Sequence, residues 1–481
     1  MGTPSATVRH LFHGLKWHQA TEYALLMLLA LSVPLNWRLA LWCLILLCAN
    51  TIIRIFITRR IGNPALSRHD RICLGLMILF YFLYAVSTNY SSNPSEALST
   101  LSTMLPLILF PLIFLLTDTS HLHRSHFDLL AYLLAAVLTL RFLVMVIRSA
   151  FHSIDSTLFN GFTDTFATLL AQISAWATRA TPFEPLNQLL ALVPVRATAH
   201  LFNDTPFESL RAYQFDPLHH NYLALYILTA IALLYSLLVR HWKAPRWRMA
   251  RWIVVGDIAL LATYVLLSDS RSGMVVMLLL AIVCLTHLTL KLRQWRTTGI
   301  ILATLAVLIG ASYWASPKTY QHITFTAHRM LRGEEGDIRQ TMWQGGMAAI
   351  KERPLFGYGC DGYWDALMHH YRANECYEAS AKQFSTHNQY LETTLATGLV
   401  GLAVLLAMII LPVLLALRRP RHNLPMILFT VVYACCLFFE TTFGRQMGLL
   451  FIPFWYAILL ASNTIKDKEE CPAQRECLPA A

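Results

Sequence analysis

The chain has 481 residues, of which 56% are hydrophobic and only 14% are charged, and its mean hydropathy is +0.49. A soluble globular domain carries roughly 25% charged residues, so these values argue against a water-soluble enzyme and against a disordered chain. The formal net charge of +11 comes from 38 Lys and Arg against 27 Asp and Glu. The basic residues lie in short gaps between apolar segments, which indicates membrane topology and not nucleic-acid binding. No cleavage site follows a short apolar core near the N-terminus, so we predict no removable signal peptide.

Twelve apolar segments approach the length of about 20 residues that crosses a bilayer. We therefore predict an all-α polytopic membrane protein with about 12 transmembrane helices. The predicted spans are 20–35, 37–53, 72–88, 100–117, 128–147, 219–239, 252–268, 273–290, 298–315, 395–417, 424–438 and 446–462. We find no repeat of two similar halves, which a transporter usually shows.

Basic residues fix the predicted orientation of these spans. With the N-terminus inside, 22 Lys and Arg fall in cytoplasmic segments and 3 fall in the short outer turns. Cytoplasmic loops carry such an excess of basic residues, so we predict both termini in the cytoplasm and two long loops in the periplasm. The predicted organisation is spans 1–5 in 1–147, a first periplasmic loop 148–218, spans 6–9 in 219–315, a large periplasmic catalytic loop 316–394, spans 10–12 in 395–462 and a cytoplasmic tail 463–481.

The first long loop has amphipathic character. Phe159, Phe162 and Phe166 recur at three- and four-residue steps, and a second run of leucines occupies 186–192. This spacing predicts helices with one apolar face. Such helices could lie on the outer leaflet or pack on the bundle as lids, and the pattern does not separate the two.

Cysteine and histidine positions bear on redox state and metal binding. Of the ten cysteines, only Cys360 and Cys376 fall in a predicted outer loop. Two cysteines in an oxidising compartment predict one disulfide between them. The Cys and His residues show no spacing typical of a metal site, so we predict no metal.

Three arginines and a histidine are the candidate site residues on the predicted outer side, namely Arg211, Arg271, Arg339 and His387. Arginine forks match phosphate oxygens, and a histidine can take a proton from an attacking hydroxyl. Each arginine could instead be a head-group anchor or a helix cap. His387 could be a helix-start residue, since capping types flank it.

Two further charges are candidates with a simpler alternative. Arg141 lies inside the fifth predicted span, where a charge is a functional hypothesis by default. It could instead simply snorkel outward or face a water-filled cleft. Glu440 shares an outer turn with Arg445, and the two could pair only with each other.

A spaced motif closes the second long loop. His387 and Asn388 are followed by nine residues, then Gly398, two residues and Gly401. With Arg339, Trp343 and 354–359 upstream, the Ser270–Arg271 turn, and Arg211 ahead of Pro217, the chain resembles the O-antigen ligase and polymerase superfamily. The resemblance covers roughly residues 205–445.

The resemblance implies a GT-C-like glycosyltransferase at the periplasmic face of the bacterial inner membrane. Members move a glycan from undecaprenyl pyrophosphate to an acceptor hydroxyl, and in the ligases the acceptor is a sugar of lipid A–core. It implies His387 as general base of an inverting reaction, the three arginines on the pyrophosphate, and supporting roles for Asn388 and Trp343, with no cofactor. A polymerase that joins carrier-linked repeats, and a transporter of lipid-linked sugar, are the alternatives.

Overall fold

The structure is a computed structural model that describes residues 15–147, residues 220–310 with gaps of one or two residues, and residues 338–463 except residue 419. All regular elements in these residues are helical. Several predictions lie outside the described residues: the amphipathic helices of the first long loop, Arg211, residues 316–337 of the second loop, and the tail.

Fifteen helices are numbered here in chain order. They are α1 (Trp17–Leu35), α2 (Trp37–Thr58), α3 (Arg68–Ser87), α4 (Pro94–Thr103), α5 (Pro106–Leu116), α6 (Arg124–Ile147), α7 (His220–His241), α8 (Ala250–Leu267), α9 (Arg271–Thr286), α10 (Ile338–Glu352), α11 (Trp364–Ala373), α12 (Tyr377–Ala381), α13 (Gln389–Leu417), α14 (Pro420–Phe439) and α15 (Gln446–Asn463).

Seven helical segments of the described chain are long and apolar enough to cross a membrane. They are Trp37–Thr58, Arg68–Tyr90, Pro94–Leu116, Arg124–Ile147, His220–His241, Arg271–Leu290 and Gln389–Leu417, and two shorter apolar helices follow at Asn423–Phe439 and Gln446–Ser462. This architecture fits the predicted polytopic membrane protein. The count of twelve spans stays a prediction, and the ninth predicted span, 298–315, is only partly described.

Two predicted spans differ from the helices in an informative way. The fourth, predicted at 100–117, consists of α4 and α5, because the chain leaves the helix at Met104 and restarts with Pro106 in the first turn. Proline is tolerated there because the first-turn amide needs no helical partner. The tenth, predicted from residue 395, begins at Gln389 because Asn388 caps it.

The chain divides into two compact units. The first combines Met1–Leu134 with Ile338–Ala481, and the second is Ala135–Asp337. In the first unit α13 packs against α3, α10 and α14, while α15 packs against α5 and α14. The core between them is aromatic, with Phe80, Phe110, Phe429, Tyr433 and Trp455 buried.

A buried polar cluster ties together one end of the first unit. The Arg54 guanidinium makes an ion pair with the Glu22 carboxylate and donates to the backbone oxygen of Asp118. The Nδ1 atom of His121 lies 3.0 Å from that same oxygen. Burial, with the neighbouring Arg54 charge, lowers the pKa of His121 to about 4, so this imidazole is neutral at physiological pH.

In the first unit, turns that were predicted to lie on the same side of the membrane contact one another. Ser91 and Cys360, both on the predicted outer side, are joined by a 2.6 Å hydrogen bond. Glu22, Arg54 and Asp118 all lie at the predicted inner side and contact one another. These contacts group the turns as the basic-residue pattern groups them, while the assignment of one side to the periplasm stays a prediction.

In the second unit α7 packs against α8 and α9 and is buried along most of its length. Arg141 of α6 is half-buried, and its charge acts on the hydroxyls of Tyr264 and Tyr226. Both tyrosines are fully buried. Arg141 therefore lies beside the buried interior of its unit, and its functional role stays a prediction.

Candidate active site

His387 and Asn388 precede α13, and the two residues have different roles there. The Asn388 side chain accepts hydrogen bonds from the backbone N–H groups of Tyr390 at 3.0 Å and Leu391 at 3.2 Å. This is the ordinary work of an N-cap residue. Because Asn388 does the capping, the His387 side chain is left for other contacts.

His387 is held in an uncommon backbone conformation beside a carboxylate. Its φ is +48°, a left-handed value that costs energy in a non-glycine residue and often marks functional sites. Its Nδ1 atom lies 3.1 Å from Oε1 of Glu440. The His387 side chain is 30% exposed and that of Glu440 is 9% exposed, so the imidazole is reachable while the carboxylate is shielded.

The carboxylate determines which imidazole nitrogen is available. Glu440 accepts from an N–H at Nδ1, and this tautomer leaves the Nε2 lone pair of His387 free to accept a proton. The sequence interpretation that Glu440 pairs only with Arg445 is therefore wrong.

Polar contacts fix the segment around His387 to the turn that carries Glu440. The side-chain oxygen of Gln389 accepts from the backbone N–H of Phe443 at 2.8 Å. The hydroxyls of Ser385 and Thr441 lie 3.3 Å apart, and the Thr441 N–H donates to Glu440 at 3.2 Å. The turn that carries Glu440 is thus fixed to the residues on both sides of His387.

Helix α10 supports the same turn. The indole N–H of Trp343 donates to the backbone oxygen of Thr386 at 2.9 Å, and its ring meets Phe438 edge-on at 5.0 Å. Arg339 precedes Trp343 by four residues, and residues at that spacing are neighbours on one helix face. The helix therefore presents Arg339 one turn away from the anchor beside His387.

Gly398 of the spaced motif is explained by backbone packing. Its φ and ψ of +68° and −166° interrupt α13, a conformation open essentially to glycine alone. The backbone of Leu355 and Phe356 occupies the space where a Cβ would lie. The motif glycine is needed because the 354–359 segment crosses α13 in direct contact.

Backbone hydrogen bonds fix this crossing. The N–H groups of Tyr358 and Gly359 donate to the oxygens of Leu395 and Ala396 at 2.8 and 2.9 Å, and the Leu399 N–H donates to Pro354 at 2.8 Å. The other edge of the segment binds the turn after α3. There the Ser87 hydroxyl accepts from the Cys360 N–H at 3.0 Å, and the Tyr90 hydroxyl donates to Phe356 O at 2.8 Å.

Arg271 is the first residue of α9, in the second unit. The preceding Ser270 caps this helix by accepting from the Gly273 N–H at 3.0 Å. Asn221 accepts from the hydroxyls of Ser270 at 3.1 Å and Ser272 at 2.8 Å, so the turn that carries Arg271 is fixed to α7. Of the predicted site residues, Arg339, Trp343, His387, Asn388 and Glu440 share the first unit, whereas Arg271 and Arg141 belong to the second.

The predicted disulfide is not formed. Cys360 and Cys376 are both buried free thiols. The Cys360 thiol lies near the backbone oxygen of Ala97 and the Asp361 carboxylate, and burial raises its pKa well above the usual value. The disulfide was predicted because only these two cysteines fall in a predicted outer, oxidising compartment, but the fold gives each thiol different neighbours.

Sequence reasoning did not find the contacts that organise this region. The Glu352 carboxylate joins α10 to its surroundings by accepting from the Tyr358 hydroxyl at 2.7 Å and contacting Nε2 of His370 at 2.8 Å. No local signal marks such partners, since they are distant in the chain. No group of three potential metal-ligating side chains occurs within the described residues, and metal independence stays a prediction.

The described chain combines helices long enough to span a bilayer with a histidine–carboxylate pair at the start of one of them, which defines a multi-pass membrane protein with a candidate reaction site. Residues 258–406 match the family described as O-antigen ligase. The resemblance predicted from the sequence is confirmed over these residues, which are similar to the O-antigen ligase family. The matched region includes Arg271, Arg339 and His387, but neither Arg211 nor Glu440.

A curated protein is similar to part of this chain. An uncharacterized protein of Haemophilus influenzae is 36% identical over 87 residues, which is 18% of this chain and 22% of that protein. The match thus spans about a fifth of the relative's length. The family supports a lipid-linked glycan transferase of the O-antigen ligase or polymerase type.

Proposed function

We propose that the protein is an O-antigen ligase of the bacterial inner membrane. It transfers a glycan en bloc from undecaprenyl pyrophosphate to a sugar hydroxyl of lipid A–core at the periplasmic face, and so completes lipopolysaccharide. The observation that carries this proposal is the His387–Glu440 pair, 3.1 Å apart, at the motif that the family match covers.

The reaction follows from the chemistry of the pair. The acceptor hydroxyl gives its proton to Nε2 of His387 while its oxygen attacks the anomeric carbon of the donor glycan. The bond from that carbon to the pyrophosphate oxygen breaks, and the electron pair leaves with the phosphate. Glu440 stabilises the imidazolium that forms, as a carboxylate does in other histidine-based sites. Attack opposite the leaving group inverts the linkage and needs no covalent intermediate.

The arginines supply the charge that the leaving group requires. Arg211, Arg271 and Arg339 would hold the pyrophosphate, since each guanidinium offers two parallel N–H donors to phosphate oxygens. Positive charge placed where negative charge develops lowers the barrier. The imidazole and guanidinium groups suffice for this chemistry, so the proposal includes no metal or organic cofactor.

A ligase is favoured over a polymerase because the second long loop is of medium size and leads directly into the last three helices. The test is a transfer assay in nanodiscs with carrier-linked glycan and lipid A–core, with products separated on a gel. We expect glycosylated lipid A–core from the unaltered protein, and a turnover lowered about 10²–10⁴-fold in His387→Ala, the usual contribution of a general base.

The outcomes of this assay separate the alternatives. Glu378→Gln, an exposed carboxylate paired with Lys382, is the control and should transfer normally. Elongation of carrier-linked glycan without lipid A–core product would identify a polymerase. Movement of the lipid-linked sugar across a bilayer without bond formation would identify a transporter. Near-normal transfer by a correctly inserted His387→Ala protein would show that the base assignment is wrong.

A further inference from the structure

Two large apolar side chains stand exposed on the segment that crosses α13. Leu355 is 59% exposed and Phe356 is 65% exposed. The segment is not loose, because Pro354 O accepts from Leu399 N–H and Phe356 O accepts from the Tyr90 hydroxyl. A fixed backbone that presents adjacent apolar side chains needs a partner to cover them.

The surroundings of the two side chains are lipid-facing surface. Below the crossing, α13 carries one exposed apolar stripe, formed by Leu399, Leu406, Ile410, Leu414 and Leu417. The steps of seven, four, four and three residues place these on one helix face. On α3 the exposed Leu79, Phe82 and Val86 form a similar stripe that ends beside the turn bonded to Phe356.

The length of α13 gives the height of the crossing. From Gly398 to Leu417 the helix has about 20 residues, which at 1.5 Å per residue span about 30 Å, the thickness of the hydrocarbon core. Arg418 follows directly at the other end. Gly398, and with it the Leu355–Phe356 pair, therefore lies at the outer boundary of the hydrocarbon.

We propose that Leu355 and Phe356 insert between the acyl chains of the outer leaflet and anchor the extramembrane helices α10 to α12 to the bilayer. The occupant of this apolar patch is lipid, because the patch continues the lipid-facing stripes of two membrane helices at the height where acyl chains begin. The anchor also fixes the height of His387. The nine residues Gln389–Thr397 span about 14 Å of helix, so His387 lies within about that distance of the boundary.

Photo-crosslinking tests this anchor without any need for transferase activity. Benzoylphenylalanine replaces Phe356 in full-length protein in nanodiscs of phosphatidylethanolamine and phosphatidylglycerol, and adducts are read by mass spectrometry after irradiation. The probe at Leu406, on the α13 stripe, is the positive control. The probe at Lys382, which is exposed directly after α12, is the water-facing control. We expect phospholipid adducts at positions 356 and 406 and none at 382.

Two results would overturn the proposal. One is the absence of a lipid adduct at position 356 while position 406 gives one. The other is a crosslink from position 356 to a second protein chain. The same probe at Leu355 gives an independent reading if the Phe356 variant fails to fold.

Discussion

Glu440 orients the imidazole of His387 and stabilises its positive charge. Removal of the Glu440 carboxylate should therefore slow proton transfer and leave donor binding unchanged. In Glu440→Gln the side chain keeps its shape but can donate an N–H toward Nδ1, which would favour the wrong imidazole tautomer. We expect kcat to fall by about tenfold or more while the KM for the carrier-linked donor changes little. Steady-state kinetics in nanodiscs measure both values, with Glu378→Gln as the matched control. A rise in KM with unchanged kcat would place Glu440 in donor binding instead.

Gly398 should tolerate no side chain. Gly398→Ala forces a Cβ into the backbone of Leu355 and places alanine in a region open to glycine, which costs about 1–3 kcal/mol before the clash is counted. Thermal unfolding in detergent should show a lower Tm than for Gly75→Ala, since Gly75 of α3 has open space where its Cβ would lie. Equal Tm values for the two variants would show that the crossing segment does not constrain α13.

For single residues, the sequence predicted which residues belong to the candidate site better than it predicted which side chains contact one another. The spaced motif identified His387, Asn388 and Gly398, because each depends on a local backbone requirement. Glu440 was noticed but paired with the wrong neighbour, since its contact with His387 joins residues 53 positions apart. The cysteine prediction was wrong for a related reason: spacing along a loop does not determine which thiols meet.

At the scale of elements, the buried Glu22–Arg54 pair joins α1 to α2. Breaking such a pair by removal of one partner costs about 3–5 kcal/mol, because the other charge stays buried without compensation. We expect Arg54→Met to lower the free energy of unfolding by about that amount, measured by denaturant titration in mixed micelles. Lys382→Met, which breaks an exposed pair, should cost at most about 1 kcal/mol.

A double variant sharpens this prediction. Glu22→Leu combined with Arg54→Met replaces both charges with apolar groups and should recover most of the lost stability. If the double variant were as unstable as Arg54→Met alone, the loss would come from packing or from the Asp118 backbone contact, and not from an uncompensated charge.

Helix positions followed from hydropathy far better than helix boundaries did. Predicted spans at 37–53 and 219–239 coincide with helices at Trp37–Thr58 and His220–His241. The six residues 389–394 that are added at the start of α13 are mostly polar, and an apolar window cannot detect a helix that continues beyond the membrane. The break at Met104 escaped notice because Met104 and the residues after it form one apolar segment.

For the whole molecule, the predicted orientation in the membrane can be tested directly. Glu378→Cys lies on the predicted periplasmic side and Arg60→Cys on the predicted cytoplasmic side, and both positions are exposed. In a variant whose native cysteines are replaced, a membrane-impermeant maleimide applied to intact spheroplasts should label residue 378 and not residue 60. The reverse pattern would invert the topology, while labelling of both after lysis controls for reactivity.

The interlocked crossing segment also has a consequence for biogenesis. Ser87, Tyr90 and Ser91 find their partners in residues about 270 positions later in the chain. At a synthesis rate of about 5–20 residues per second, the ribosome needs roughly 15–50 s to supply them. The first helices must therefore persist in the bilayer with this polar turn lacking its partners until residues 356–360 have been synthesised. Quality-control proteases would encounter this early intermediate first, so substitutions at the turn should reduce protein abundance more than they reduce the specific activity of the molecules that mature.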